Sequence, residues 1–131
     1  MIVKSLESIK NTEDHIDDVN WESRRFLLKK DGMGFSLHDT IIRAGTESTF
    51  WYKYHQEAVY CIEGEGEIED VTNGKTYQIT AGTMYALDGH EKHNLRAKTD
   101  MRMVCVFNPP CSGRETHDEE GAYPQPEEIN A

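Results

Sequence analysis

From Trp21 onward the chain advances in short runs of β-branched and aromatic residues, broken at close intervals by Asp31-Gly32, Gly45, Gly64, Asn73-Gly74, Gly82 and Asp88-Gly89. Turn signals this frequent predict an all-β barrel or sandwich rather than packed helices. Asn73-Gly74 lies between the run Gly66 to Val71 and Thr76-Tyr77-Gln78-Ile79. It predicts a tight type I′ hairpin, a turn that needs positive φ at both central positions. In Met101-Arg102-Met103-Val104-Cys105-Val106-Phe107 the two-residue period puts Met101, Met103, Cys105 and Phe107 on one face and Val104 and Val106 on the other. Both faces are largely apolar, as expected of a buried strand in a two-layer barrel.

The two ends read differently. Residues 1 to 20 are polar, and Thr12-Glu13-Asp14 is a helix-start signal, so a short helix or an irregular lead-in is expected there. Asn108-Pro109-Pro110 should end regular pairing, since two prolines remove two ladder donors. Residues 112 to 131 hold six acids and one base, with Pro124 and Pro126 and few apolar side chains, which reads as a solvated, mobile tail. At 131 residues, against about 150 for a typical domain, the chain is expected to be one domain: a lead-in over 1–20, a barrel over 21–107 and a tail over 108–131.

Charge and cysteines narrow the function. Fourteen Lys and Arg against 24 Asp and Glu give a net charge of −10, which repels nucleic-acid phosphates and anionic lipid surfaces. No run approaches the roughly 18 apolar residues of a membrane span, and Met1-Ile2-Val3-Lys4 lacks the apolar core of a signal peptide. Neither nucleic acid nor membrane is an expected partner, and the expected compartment is the cytoplasm. Cys61, Cys105 and Cys111 form an odd set without a CxxC pair, which suits a reducing compartment and suggests neither a disulfide framework nor a zinc ribbon.

Two spaced motifs carry chemistry. Gly45, Trp51, Lys53, Glu57 and Gly64 follow Gly-x5-X-x-X-x3-Glu-x6-Gly, in which cupins place histidines at both X positions. Gly82, Asp88, His90 and His93 follow Gly-x5-X-x-X-x2-His, the second cupin motif with its Pro and middle Gly replaced. Both motifs, in order and joined by a short connection, suggest a cupin, a small β-barrel or jelly roll, with a depleted metal site. Trp51 and Lys53 cannot replace neutral imidazoles, so Glu57 and His93 are the surviving ligand candidates. Tyr85, His55 and His90 compete for a third place.

The run from Trp51 to Ile68, WYKYHQEAVYCIEGEGEI, closely resembles the central block of the ectoine synthases, a family of cupin-type lyases. So do Tyr85-Ala86-Leu87-Asp88 with His93, Cys105 to Pro110, Gly113 to Tyr123, and the start Met1-Ile2-Val3. The resemblance covers nearly the whole chain up to Pro124. It implies a carbon–oxygen hydro-lyase that closes N4-acetyl-L-2,4-diaminobutanoate into L-ectoine with release of water. It further implies a metal, iron as Fe(II) ahead of other divalent ions, on Glu57, Tyr85 and His93. Hard oxygen donors with one imidazole suit Fe(II) or Mn(II). The implied substrate residues are Trp21, Arg25, Thr40, Tyr52, Cys105, Phe107, Glu115 and His117, with Tyr52, Glu115 and His117 as acid–base candidates. A head-to-tail homodimer joined through strands is implied as well.

On that resemblance Arg25 would pair with the substrate carboxylate, Trp21 and Phe107 would supply apolar walls, and the tail carrying Glu115 and His117 would close as a lid. Taken singly, these residues have plainer readings. Tyr85 and Trp51 are ordinary core or packing aromatics, His55 and His90 surface or turn residues, Cys105 a small buried hydrophobe, and Glu63, Glu65, Glu67 and Glu69 a solvated strand face. Among rival functions, a dioxygenase cupin would need the missing histidines. A non-catalytic cupin binding a small amino acid would use the same pocket.

Overall fold

A computed structural model describes residues 1–113, 115–117 and 121–123. The strands are β1 (His15–Asp17), β2 (Trp21–Leu27), β3 (Ser36–Ile42), β4 (Glu47–Phe50), β5 (Gln56–Glu63), β6 (Glu65–Asp70), β7 (Lys75–Thr80), β8 (Met84–Leu87), β9 (His93–Ala97) and β10 (Met101–Asn108). They form two antiparallel sheets, ordered β1-β2-β3-β10-β5-β8 and β4-β9-β6-β7. This is the expected all-β jelly roll.

Alternation decides which side chains meet in the middle. In β10 the buried residues are Met101, Met103, Cys105 and Phe107, while Val104 and Val106 on the other face are only half-buried. β3 does the same with Ser36, His38, Thr40 and Ile42. Paired residues share a face, so the registers line up one inward row across five strands: Arg25, His38, Cys105, Val59 and Tyr85. The next row is Ser36, Phe107, Glu57 and Leu87.

Three local expectations are corrected. The N-terminal helix is a single turn, Leu6–Ile9, capped by the Ser5 side chain. It precedes Thr12-Glu13-Asp14, which instead turns the chain into β1, a strand inside the segment read as lead-in. The β6–β7 hairpin is not a two-residue turn. The last pair is Asp70 with Lys75, and of Asn73 and Gly74 only Gly74 has positive φ, +73°. The Asp70 and Asn73 side chains accept the N–H groups of Thr72 and Lys75, and the Asp70 carbonyl accepts that of Gly74. Those bonds stabilise a four-residue loop that type I′ geometry could not make.

The third correction concerns the C-terminal segment. After β10 the chain passes a cis Asn108–Pro109 bond. Cys111, Gly113, Glu115, Gly121, Ala122 and Tyr123 are then all buried against the barrel, so this stretch of the acidic tail is packed, not solvated. The part of the tail expectation that falls on residues 114, 118–120 and 124–131 lies outside the described residues.

Candidate active site

The two inner faces enclose a cavity of about 30 Å³. The six-stranded sheet contributes Trp21 and Ser23 from β2, His38 and Thr40 from β3, Glu57 and Val59 from β5, Tyr85 from β8, and Met103, Cys105 and Phe107 from β10. Phe50 and Tyr52 enter from the end of β4, His93 from β9, and His117 and Tyr123 from the C-terminal segment. Room for about one water is far less than any amino-acid derivative needs.

The eight expected substrate residues divide between the wall and the layer behind it. Trp21, Thr40, Tyr52, Cys105, Phe107 and His117 line the cavity; Arg25 does not. The Arg25 side chain has no exposed surface. Its Nε donates to Ser23 Oγ at 3.2 Å, Nη1 to the Gly113 carbonyl at 3.0 Å, and Nη2 to the Glu115 carbonyl at 2.9 Å and the Tyr123 hydroxyl at 3.4 Å. Glu115, the eighth, is also behind the wall. Its carboxylate accepts the backbone N–H groups of Ser112 and Gly113 and lies 3.8 Å from Arg25 Nη1. Together they fasten the described residues 111–113, 115–117 and 121–123, here termed the strap, to the barrel.

His117 and Tyr123 are the strap's inward face. The Tyr52 hydroxyl and His117 Nε2 are 2.6 Å apart. His117 stacks on Tyr123 with centroids at 4.5 Å and meets the edge of Trp21 at 5.0 Å. Tyr123 in turn packs on Tyr52 and Phe107. Burial pushes the Tyr52 phenol well above its ordinary range, and Tyr123 adds to the effect, so both stay protonated donors at neutral pH.

Glu57, Tyr85 and His93 all line this one cavity, as the ligand expectation requires. Glu57 and Tyr85 are diagonal neighbours on paired strands, since Glu57 faces Leu87 and Tyr85 faces Val59. His93 comes from the opposite sheet and donates Nδ1–H to the Glu91 carbonyl at 2.9 Å, which leaves Nε2 as the ligand atom. Burial pushes the Glu57 carboxyl up to about 8 against a hydrogen bond from Cys105, and the groups acting on it include no basic side chain. Burial, then the neighbouring Glu57, raises the Tyr85 phenol well above its usual value; burial lowers the His93 imidazole. A carboxyl, a phenol and a neutral imidazole, desolvated together and short of positive charge, fit a divalent cation of the hard or intermediate kind.

A second trio, His55, Cys111 and Glu115, has donor atoms within 4.8 Å of one another, all buried. None of the three lines the cavity. Glu115 is engaged as described, and burial holds the Cys111 thiol up at about 12. His55, read from sequence as a surface or turn residue, is 1% exposed, because the strap covers it. His90 does sit exposed in a turn at φ +57°, its Nδ1 bonded to the carbonyls of Tyr52 and His55. Both donor sets are compatible with a metal.

The motif positions 51 and 53 lie outside the cavity. Lys53 and Lys92 pack over the Trp51 ring, and the Trp51 indole donates to the His90 carbonyl. Sequence reasoning missed Ser23, His38, Phe50 and Tyr123. Stepping by two from Thr40 along β3 would have found His38; no local signal marks Tyr123. A more open cavity of about 420 Å³ lies between β7 and β8, sharing Tyr85 and His93 as walls.

Comparison with known proteins supplies the context. The profile of the ectoine synthase family matches residues 1–127. L-ectoine synthase of Oceanobacillus iheyensis is 67% identical over 124 residues, covering 95% of this chain and 97% of that protein. The Virgibacillus pantothenticus protein of the same name is 65% identical over 124 residues, 95% of this chain and 97% of the relative. The crystal structure of ectoine synthase from P. lautus superposes with a TM-score of 0.87 at 70% identity, covering 92% of this chain and 87% of that one. A predicted oxalate decarboxylase from Thermotoga maritima, 21% identical, shares the fold with a TM-score of 0.68 over 82% of this chain and 99% of its own.

Proposed function

The chain belongs to the ectoine synthase family, carbon–oxygen hydro-lyases of the cupin fold, and from that premise we propose that it closes N4-acetyl-L-2,4-diaminobutanoate into L-ectoine. The 2-amino nitrogen bonds to the acetyl carbon, the acetyl carbon–oxygen bond breaks, and that oxygen leaves as water with two protons taken from nitrogen. No electrons are exchanged with another reactant. The observation that carries this reading is the closed, aromatic-walled cavity into which Glu57, Tyr85 and His93 all project.

Those three side chains would hold the cation, Fe(II) before other divalent ions. When bound, it supplies Lewis acidity toward an amide oxygen, worth several kcal/mol in such reactions. The protein's own groups do the rest. Trp21, Phe50, Phe107 and Tyr123 press an otherwise extended chain into a bend that brings amine and acetyl carbon to about 3–3.5 Å. Thr40 and Tyr52 orient it by hydrogen bonds, with Cys105 beside them. His117, bonded to Tyr52, is the best-placed group to take the proton released by the amine, a role worth roughly 10²–10⁴-fold. Arg25 and Glu115 act at one remove, by holding the strap that carries His117.

A cavity of about 30 Å³ cannot admit this substrate, so the strap must open for entry and close for reaction, excluding water from a step that produces it. We assign the protein to the cytoplasm, in keeping with three free cysteines and no helix among the described residues long and apolar enough to cross a membrane. We further propose a homodimer, supported by the apolar side chains Ile2, Val3, Tyr60 and Met84 exposed on the surface. Light scattering tests the dimer.

The deciding assay incubates iron-loaded protein with N4-acetyl-L-2,4-diaminobutanoate and follows the cyclic amidine by NMR. Product formation supports the cyclase. Recovery of bound but unchanged compound would make the protein a small-molecule-binding cupin without this activity.

A further inference from the structure

Outside the cavity wall, the donor atoms of His55, Cys111 and Glu115 lie within 4.8 Å of one another, and all three residues are buried. His55 precedes β5, whereas the other two belong to the strap. His55 adds a second observation. It is 1% exposed, and neither ring nitrogen has a hydrogen-bond partner among the described residues. A buried imidazole is ordinarily bonded through at least one nitrogen, because an unmatched polar atom keeps its full desolvation cost. The ring is also held in place by T-shaped contacts with Phe107 and Tyr123, each at 5.9 Å between centroids.

The strap residues are positioned as well. Cys111 donates its N–H to Ser36 Oγ and accepts the Lys29 N–H at its carbonyl, and it has no exposed surface. The Ser112 and Gly113 N–H groups orient the Glu115 carboxylate, as hydrogen bonds behind a ligating carboxylate do in metal sites. The Arg25 guanidinium, 3.8 Å from that carboxylate, opposes a cation. A thiolate and a carboxylate together offset the charge of a divalent ion, and Arg25 keeps its bonds to the Gly113 and Glu115 carbonyls.

Imidazole, sulfur and carboxylate form a softer set than Glu57, Tyr85 and His93, and they suit zinc better than Fe(II). With bonds of about 2.0–2.3 Å, tetrahedral ligands sit roughly 3.4–3.6 Å apart, so donors within 4.8 Å need to draw in by only about 1 Å. We propose that His55, Cys111 and Glu115 form a second metal site, for a thiophilic divalent ion of the zinc class, which clips the strap to the start of β5. On binding, the Cys111 thiol gives its proton to solvent, and water fills the fourth position. The proposal stands apart from the cyclase reading.

The test uses Glu57→Ala protein, which lacks a ligand of the cavity site, loaded with Zn2+. X-ray absorption should show one sulfur at about 2.3 Å beside nitrogen or oxygen at about 2.0–2.2 Å. Co2+ in its place should give a sulfur-to-cobalt charge-transfer band. Both signatures should vanish when Cys111→Ala is added and persist when Cys105→Ser is added, which separates the cavity's own thiol. At zinc concentrations about 100 times the dissociation constant, local opening of the strap should slow about 100-fold. Amide exchange at Ser112 and Gly113 reads that change, and Cys111→Ala should abolish it. A shell of nitrogen and oxygen alone, sulfur that disappears with Cys105, or zinc binding and exchange indifferent to Cys111→Ala would each overturn the assignment. Should Cys111→Ala not fold, the sulfur in the Cys105→Ser protein decides.

Discussion

Replacing Gly121 by alanine should unfasten the strap without unfolding the barrel. Gly121 sits at φ +77°, and its carbonyl accepts the Trp51 N–H at 2.9 Å. A β-carbon there would lie 2.3 Å from the Thr49 carbonyl oxygen and 2.8 Å from the Phe50 α-carbon. Both are backbone atoms of β4 and its end, so no side chain can swing aside. The left-handed conformation costs a non-glycine residue about 1–2 kcal/mol, and losing the Trp51 bond costs about 1 kcal/mol more. Together these shift the closed–open equilibrium of the strap by roughly 2–3 kcal/mol, which is about 30- to 150-fold. Amide exchange at Ala122 and Tyr123 should accelerate by that factor, and kcat/KM should fall toward it, because Tyr123 and His117 lose their seat. Gly82→Ala is the control. Gly82 has φ +95° with nothing within 4 Å of a β-carbon, so it lowers global stability by the conformational cost alone and leaves strap exchange unchanged. If Gly121→Ala left exchange at Ala122 and Tyr123 and kcat/KM at wild-type values, the strap would not be held where this reasoning puts it.

Other perturbations separate the remaining claims. Glu57→Ala and His93→Ala should each lower bound metal and activity together, while circular dichroism stays that of the folded barrel; activity surviving in metal-free protein would remove the Lewis acid. Arg25→Ala leaves two carbonyls and the Tyr123 hydroxyl without this donor, and the buried Glu115 carboxylate without its nearby positive charge. Breaking a buried pair costs about 3–5 kcal/mol, so thermal stability and strap protection should both drop, and an unchanged melting temperature would contradict the anchoring role. For Asp39, burial acts to raise the carboxyl pKa, but hydrogen bonds from Arg102 and Arg24 outweigh it and hold the group below its ordinary 3.8. A depressed carboxyl stabilises the fold above the unfolded-state pKa, and that contribution disappears as pH falls through the folded value. Asp39→Asn should therefore be less stable than wild type near neutrality and approach it below about pH 4; a constant difference across that range, measured by denaturant titration, would refute the linkage.

Features governed by nearest neighbours along the chain were legible before any coordinates. The period-2 pattern of Met101 to Phe107 assigned the core face of β10, and the same rule applied to Thr40 would have exposed His38. The glycine spacing pointed to an all-β chain. Local signals failed where a neighbour outcompeted them. Asn73-Gly74 belongs to a longer loop because the Asp70 and Asn73 side chains bond the backbone within it. Thr12-Glu13-Asp14 starts no helix because His15 to Asp17 pair with β2.

By itself, then, the sequence determined an alternating strand barrel and, through its close resemblance to one family, the chemistry to expect from Glu57, Tyr85 and His93. Tertiary structure alone decided that Arg25 bonds Gly113, Glu115 and Tyr123 some 88 to 98 positions away, and that the described part of an acidic tail becomes the roof of the cavity. The physical reason is range. Alternation and turn chemistry act over two to four residues, whereas the partner of a buried charge is chosen by whichever donors and acceptors the closed fold brings within 3 Å.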